Sequence, residues 1–424
     1  MNSTYFDEIY HARTAYEHFH GIVAYENTHP PLGKILIGAG MELFGVNPFG
    51  WRIVGTLFGA AMLPLIYMMG LRLFGTTRYA ALSAGLFALD FMHFTQTRIS
   101  TIDVYGVFFI MLMFYFMQRY FTMNFYRVPL RKTLVPLFWS GLFFGIGVAS
   151  KWIVLYGGAG LAIMLALSLF ERYKEYKAAG RMLAEGKLGD QEIKTACRTA
   201  DKSFWKNTII TLASCVGFFV IIPAVVYALS FIPVLSVTAE GYTIKGLIDA
   251  QKNMYNYHSQ LVATHPFSSS WWEWPFMKRP VWFFSGGEGL PEGRVSSIVT
   301  MGNPLIWWTG IFAMLGAVWL TIRRKQKSLY MLWIAFFSQY VPWMLVPRET
   351  FLYHYFAMVP FMILAIVYVM KLLDSKVPGA SKIRYAYVAA AAVLFIMFYP
   401  VLSGMQVSAD YVNIMLRWFP SWVF

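Results

Sequence analysis

Ten stretches of mostly apolar residues dominate this chain, at 51–70, 79–94, 103–121, 134–150, 152–170, 207–231, 304–322, 329–347, 353–373 and 385–404. Most approach the ~20 residues that carry a helix across a bilayer, although the second is short for a crossing. In hydrocarbon every backbone N–H and C=O must find its partner inside the protein, so a chain of this pattern spans as helices. Composition agrees: hydrophobic residues make up 58%, charged residues 13%, and mean hydropathy is +0.52. A soluble chain of 424 residues would need far more charge to cover its surface. The expected fold class is an all-α polytopic membrane protein.

The net charge of +14 would elsewhere suggest nucleic acid, but its placement argues against that partner. Basic residues crowd alternate loops: Arg72 and Arg78; Arg119, Arg127, Arg131 and Lys132; nine Lys/Arg from Arg172 to Lys206; Arg323, Arg324, Lys325 and Lys327; then Lys371, Lys376, Lys382 and Arg384. Such a bias marks the cytoplasmic side. It predicts an outer loop at 1–50 and membrane helices over 51–231 with a cytoplasmic helical hairpin at 171–206. A long outer loop follows at 232–303, then further membrane helices and an outer tail over 304–424. Nothing upstream of residue 1 carries the N-terminus outward, so one spanning helix is expected to be missing ahead of it. Cys197 and Cys215 fall in a loop and a span, which makes a disulfide between them implausible.

The chemistry concentrates in the outer loops. Phe6-Asp7-Glu8-Ile9-Tyr10-His11 opens a short helix to His20. Pro30-Pro31 starts a second, one-sided helix that Gly45 stops and that is too short to span, so it should lie in the interface. A carboxylate beside a bilayer can take a proton from an attacking hydroxyl while cations steady a departing phosphate. Asp7 and Glu8 diverge by about a quarter-turn, so one would be the base and the other an orienting group; alternatively, both merely keep an interfacial helix wet. Arg52 is either a snorkelling anchor beside Trp51 or a phosphate ligand. Lys151 sits on the outer side against the charge trend, a candidate phosphate contact. Arg348 and His354, between two spans, either approach that phosphate or cap helix ends. Asp90, His93, Arg98 and Asp103 are ionisable groups at the outer ends of spans, where burial is costly without a function, although Arg98 and Asp103 would also serve as an ion pair. His29, Lys34, His258, His265, Trp271 and Trp274 complete the candidate substrate contacts. The tryptophans read equally as an interfacial belt, and a metal site at the two loop histidines is the weaker reading.

Seven clusters in order resemble the protein O-mannosyltransferase family, whose fold is the GT-C membrane fold: FDEIYHA at 6–12, HPPLGK at 29–34, WRIVGTLFGAAMLPLIY at 51–67, TRISTID at 97–103, GLFFGIGVASKWIVLYGG at 141–158, YHSQLVATHPFSSSWWEWP at 257–275 and FLYHYFAMVPF at 351–361. The resemblance implies transfer of mannose from a polyprenyl-phosphate carrier to Ser or Thr hydroxyls of exported proteins, inverting, on the outer face of the membrane. It implies that the acid pair is Asp7-Glu8 and the essential arginine Arg52. Two departures point to a compact, bacterial-type enzyme. Glu26-Asn27-Thr28 stands where eukaryotic members often have an acid directly before HPP, and 232–303 is too short for their β-rich domain. No cofactor is called for, and metal dependence stays open. The alternatives are a GT-C transferase adding a sugar to lipid A or another glycolipid and, from another class, a transporter, which would place charges at mid-membrane in broken helices.

Overall fold

The computed structural model describes residues 3–185, 190–260, 264–287, 289–324 and 326–424; Lys187 and Lys325 of the basic loops lie outside the described residues. Two helices precede the first span, α1 (Glu8–Phe19) and α2 (Leu32–Phe44). Asn47 then opens α3 (Pro48–Phe74): its Oδ1 accepts the Phe49 and Gly50 N–H groups at 3.0 Å, and Pro48 occupies a first-turn position that needs no donor. Helices α2 and α3 meet backbone to backbone at Gly40 and Gly50. A Cβ on Gly40 would lie 2.5 Å from the Gly50 carbonyl, so only glycine permits this crossing.

The expected span at 79–94 is broken into α4 (Thr77–Ala88) and α5 (Phe91–Gln96). Asp90 causes the break. Its carboxylate caps α5 by accepting the His93 N–H at 3.1 Å and also accepts Trp307 Nε1–H at 2.8 Å. The His93 ring donates from Nε2 to the Gly59 carbonyl at 3.1 Å. Both residues, read from the sequence as leaning toward function, are engaged in holding helices together.

Four helices follow: α6 (Asp103–Phe121), α7 (Leu130–Ser150), α8 (Ile153–Ala184) and α9 (Gln191–Val216). The last runs through a π-turn at Gly217–Ile221 into α10 (Ile222–Ser230), with α11 (Ile232–Leu235) and α12 (Ile244–Gln260) beyond it. Past the apolar stretches, α8 and α9 form an antiparallel pair sealed by Ala179, Cys197 and Ala200. Two short antiparallel pairs punctuate the rest: β1 (Val281–Ser285) with β3 (Ser297–Thr300), and β2 (Arg294–Val295) with β4 (Val407–Ser408). The C-terminal helices are α13 (Pro304–Arg324), α14 (Tyr330–Tyr340), α15 (Val359–Asp374) and α16 (Ala380–Ser403).

Among the described residues eight helices are long and apolar enough to cross a membrane, against ten expected. Besides 79–94, the difference lies at 329–347, where α14 gives way to a 3₁₀ turn at Val341–Leu345 because Pro342 has no N–H to continue the ladder. Helix α6 and the span that ends in α15 are the most buried and form the centre of the bundle. Helices α9, α10 and α16 and the π-turn between the first two are peripheral, and Ile209, Val220, Ile221, Val393 and Ile396 point outward from them as lipid-facing side chains do.

Candidate active site

The chain enters α1 through Phe6, whose φ of +52° is unusual for a non-glycine residue. Its ring is held in a stack on Phe283 with centroids 4.3 Å apart. This turn separates the two acids that follow. Glu8 is fully buried and saturated: Oε1 accepts Arg52 Nε–H at 2.7 Å and the Ser100 N–H at 2.9 Å, while Oε2 accepts Arg52 Nη2–H at 2.7 Å and the Tyr5 N–H at 3.2 Å. Four donors occupy its acceptor sites, so no oxygen is left open to a substrate hydroxyl. The pair ties the start of the chain to α3 and to the turn ahead of α6. Arg52 also donates to the Ser3 carbonyl at 2.9 Å, so the arginine expected at the donor phosphate is engaged by Glu8.

Asp7 is the opposite case. It is partly buried, and its carboxylate accepts no hydrogen bond from the described residues. Burial pushes its pKa up, Asp103 and Glu26 adding to the effect while His11 and Lys151 oppose it. Beyond it, Lys151 Nζ lies 2.6 Å from Asp103 Oδ1. Asp103 therefore pairs with Lys151 rather than Arg98, whose guanidinium lies over the Phe94 ring at 4.5 Å.

A second acid, Glu26, organises the residues around the His-Pro-Pro turn. It forms an ion pair with Lys34, which is only 1% exposed, and lies 3.6 Å from His11 Nδ1 and 3.3 Å from His29 Nδ1. Burial pushes Glu26 up, but the neighbouring His11 and His29 rings and the Lys34 ammonium outweigh it and hold the carboxyl well below its usual range. Burial lowers His29 to about 3, so its ring is a neutral donor to that carboxylate. His258, on α12, reaches across to donate from Nε2 to the Thr28 carbonyl at 2.7 Å, which leaves Nδ1 as a buried acceptor without a partner among the described residues. Sequence reasoning passed over Glu26. Its only signal was an acid three residues before His29, offset from the position where the resemblance placed one.

On the far wall, His354 is buried with Nδ1 bonded to the Phe351 backbone at 2.9 Å and its ring against Trp343 and Trp274, centroids 4.2 and 5.9 Å away. Arg348 is partly buried, forms no ion pair among the described residues, and acts electrostatically on His258. Trp274 is fully buried and donates to the Ser269 carbonyl at 3.1 Å, and the Trp271 carbonyl accepts Tyr340 OH at 2.8 Å; both pack the wall, and neither forms a belt or an open platform. Trp272, by contrast, is exposed. His265 lies exposed against Phe351, with ring centroids 5.1 Å apart, so the two loop histidines do not converge on one metal position. The fold thus gathers Asp7, Lys151, Asp103, His29, Lys34, His258, Arg348 and His354 around one region and leaves Arg98 and His265 at its edge.

Two family models match the chain: "Dolichyl-phosphate-mannose-protein mannosyltransferase" over residues 28–183, and "C-terminal four TMM region of protein-O-mannosyltransferase" over 243–422. Together they cover most of its length. The chain belongs to the protein O-mannosyltransferase family. Among its relatives is the polyprenol-phosphate-mannose–protein mannosyltransferase of Corynebacterium glutamicum, 27% identical across 93% of this chain and 81% of that protein. The Mycobacterium tuberculosis protein of the same name is 24% identical across 98% and 86%. In structure the chain resembles the S. cerevisiae protein O-mannosyltransferase Pmt1-Pmt2 complex bound to the sugar donor, with a TM-score of 0.78 at 14% identity over 100% of this chain and 89% of that one. ArnT from Cupriavidus metallidurans matches at a TM-score of 0.53 and 15% identity over 96% and 67%. The fold is GT-C. The acid pair of this protein O-mannosyltransferase lies ahead of the first stretch matched by a family model.

Proposed function

We propose that this chain transfers mannose from a polyprenyl-phosphate carrier to Ser or Thr hydroxyls of exported proteins, with inversion, at the outer face of the membrane. Family membership supports the reaction class, and relatives of both bacterial and yeast origin bear that activity in their names. The observation that carries the mechanism is the contrast between two neighbouring acids: Glu8 is saturated by donors, whereas Asp7 accepts no hydrogen bond from the described residues and is of raised basicity. Asp7 takes the proton of the acceptor hydroxyl as its oxygen attacks the anomeric carbon. The bond from that carbon to the phosphate oxygen breaks, and the polyprenyl phosphate leaves with the electron pair. A phosphate needs cations rather than an acid to leave. Arg348, which no carboxylate among the described residues neutralises, is the first of these, with Lys151, paired to Asp103, as the second.

Arg348→Ala should raise the KM for donor by about 10- to 100-fold, the worth of a charge-assisted hydrogen bond. Arg348→Lys should restore part of it, since lysine keeps the charge and loses the planar fork. A titration of membranes with labelled polyprenyl-phosphate mannose and a Ser/Thr-rich peptide measures both. Unchanged donor KM in Arg348→Ala would move the phosphate to Lys151.

The outward-facing site rests on the alternation of basic loops, and impermeant thiol reagents test it in intact cells. Ser269 and Cys197 are buried, so the probes belong at exposed positions, Ser3 and Ser259 on the site side and Thr195 on the basic side. Cysteines at Ser3 and Ser259 should react in intact cells, and one at Thr195 only after the membrane is opened. The reverse pattern would turn the site inward.

A further inference from the structure

Far from the acids, at the basic end of the bundle, α13, α15 and α16 enclose an apolar slot of about 460 Å³. Thr309 and the Tyr387 hydroxyl, hydrogen-bonded at 2.6 Å, line one end of it, and Leu320 lines the other. Along α13 that distance is ~16 Å at 1.5 Å per residue, about half of a ~30 Å hydrocarbon core. The slot has the depth of one leaflet. Its rim side chains, Phe312, Trp319 and Ile383, are 74, 58 and 62% exposed, so it opens sideways to lipid rather than to the interior.

At Ala380 the slot adjoins a polar pocket of about 540 Å³ lined by Arg78, Lys371 and Lys376. Among the described residues Arg78 and Lys376, both exposed, pair with no acid, and Lys371 donates to the Phe74 carbonyl at 2.7 Å. Asp374, the one acid in that lining, is already engaged by Arg384 and by the Tyr79 hydroxyl at 2.8 Å. Three uncompensated positive charges thus sit at the mouth of a chain-deep apolar slot. We infer that this is a binding site for an anionic phospholipid of the leaflet on the basic side, with one acyl chain between α13, α15 and α16 and the phosphate against Arg78, Lys371 and Lys376. Basic residues near a membrane surface gain from anionic headgroups, whereas a zwitterionic lipid offers them little net charge.

Native mass spectrometry of the full chain in detergent, supplied with equal phosphatidylglycerol and phosphatidylcholine, tests the site. Phosphatidylglycerol should be retained in preference. Arg78→Ala combined with Lys376→Ala should weaken that retention about thirtyfold, and Lys376→Ala alone about fivefold, from ~1 kcal/mol per basic residue facing an anionic surface. Both side chains are exposed, so neither change threatens folding. Gly316→Phe should remove retention of either lipid, because Gly316 lines the slot, a Cβ there meets no atom within 4 Å and the ring has room to fill it. Equal retention of the two lipids, or retention of phosphatidylglycerol indifferent to the charge variants, would overturn the assignment. Displacement by soluble glycerol phosphate would reduce it to an anion site. A dimer peak lost in Gly316→Phe would give the slot to a second copy.

Discussion

Asp7→Asn should lower kcat by ~10² to 10⁴-fold, the usual worth of a positioned general base, while donor binding stays within about twofold. The asymmetry follows from the group's task, since Asp7 acts on the acceptor's proton and the donor phosphate is held elsewhere. Two further measurements sharpen the assignment. As a base Asp7 works only when ionised, and burial raises its pKa, so kcat/KM should fall with decreasing pH through a value above the ~3.9 of a free aspartate. A carboxyl whose pKa is raised by folding costs stability at neutral pH, because the charged form is the penalised one. Removing that charge should therefore hold or raise the Tm. Wild-type turnover in Asp7→Asn would end the proposal, and an inactive variant with a lowered Tm would mark Asp7 as structural.

Glu8→Gln should show the reverse signature. Its carboxylate is 0% exposed and bears the Arg52 guanidinium, itself only 15% exposed. Breaking a buried pair from one side leaves a charge without its partner, at a cost of ~3–5 kcal/mol, so the Tm should fall by many degrees. Glu8→Gln combined with Arg52→Met should recover much of the loss, because removing both partners of a buried pair is far cheaper than removing one. Activity should follow the folded fraction. A Glu8→Gln protein of native Tm that binds donor normally yet does not turn over would instead make Glu8 the base. Thermal unfolding in detergent, run beside single-turnover transfer, separates the two outcomes.

Much of this protein was legible before any coordinates. Stretches of apolar residues and the sidedness of lysine and arginine are local properties, and a bilayer reads them one segment at a time. They sufficed for a polytopic helical bundle, and seven ordered clusters sufficed for its family. Where local reading ran short, a long-range partner had intervened. The 79–94 stretch counts as a span by hydropathy, but Asp90 finds Trp307 across the bundle and uses it to end one helix and begin another.

The site divides along the same line. From the sequence, two acids, several cations and a His-Pro-Pro turn are expected on one side of a membrane, since the basic bias assigns each to an outer loop. It could not say which acid is free, because Asp7 and Glu8 are adjacent and chemically alike. That is decided among the described residues by donors from residues 5, 52 and 100, all of which converge on Glu8 and none on Asp7. Nor could it rank the cations. Arg52, Lys34 and Lys151 look equally available in the sequence, yet each meets a carboxylate: Glu8, Glu26 and Asp103. A charge's chemical use depends on what neutralises it within a few ångströms, and those neighbours are assembled only when the helices pack.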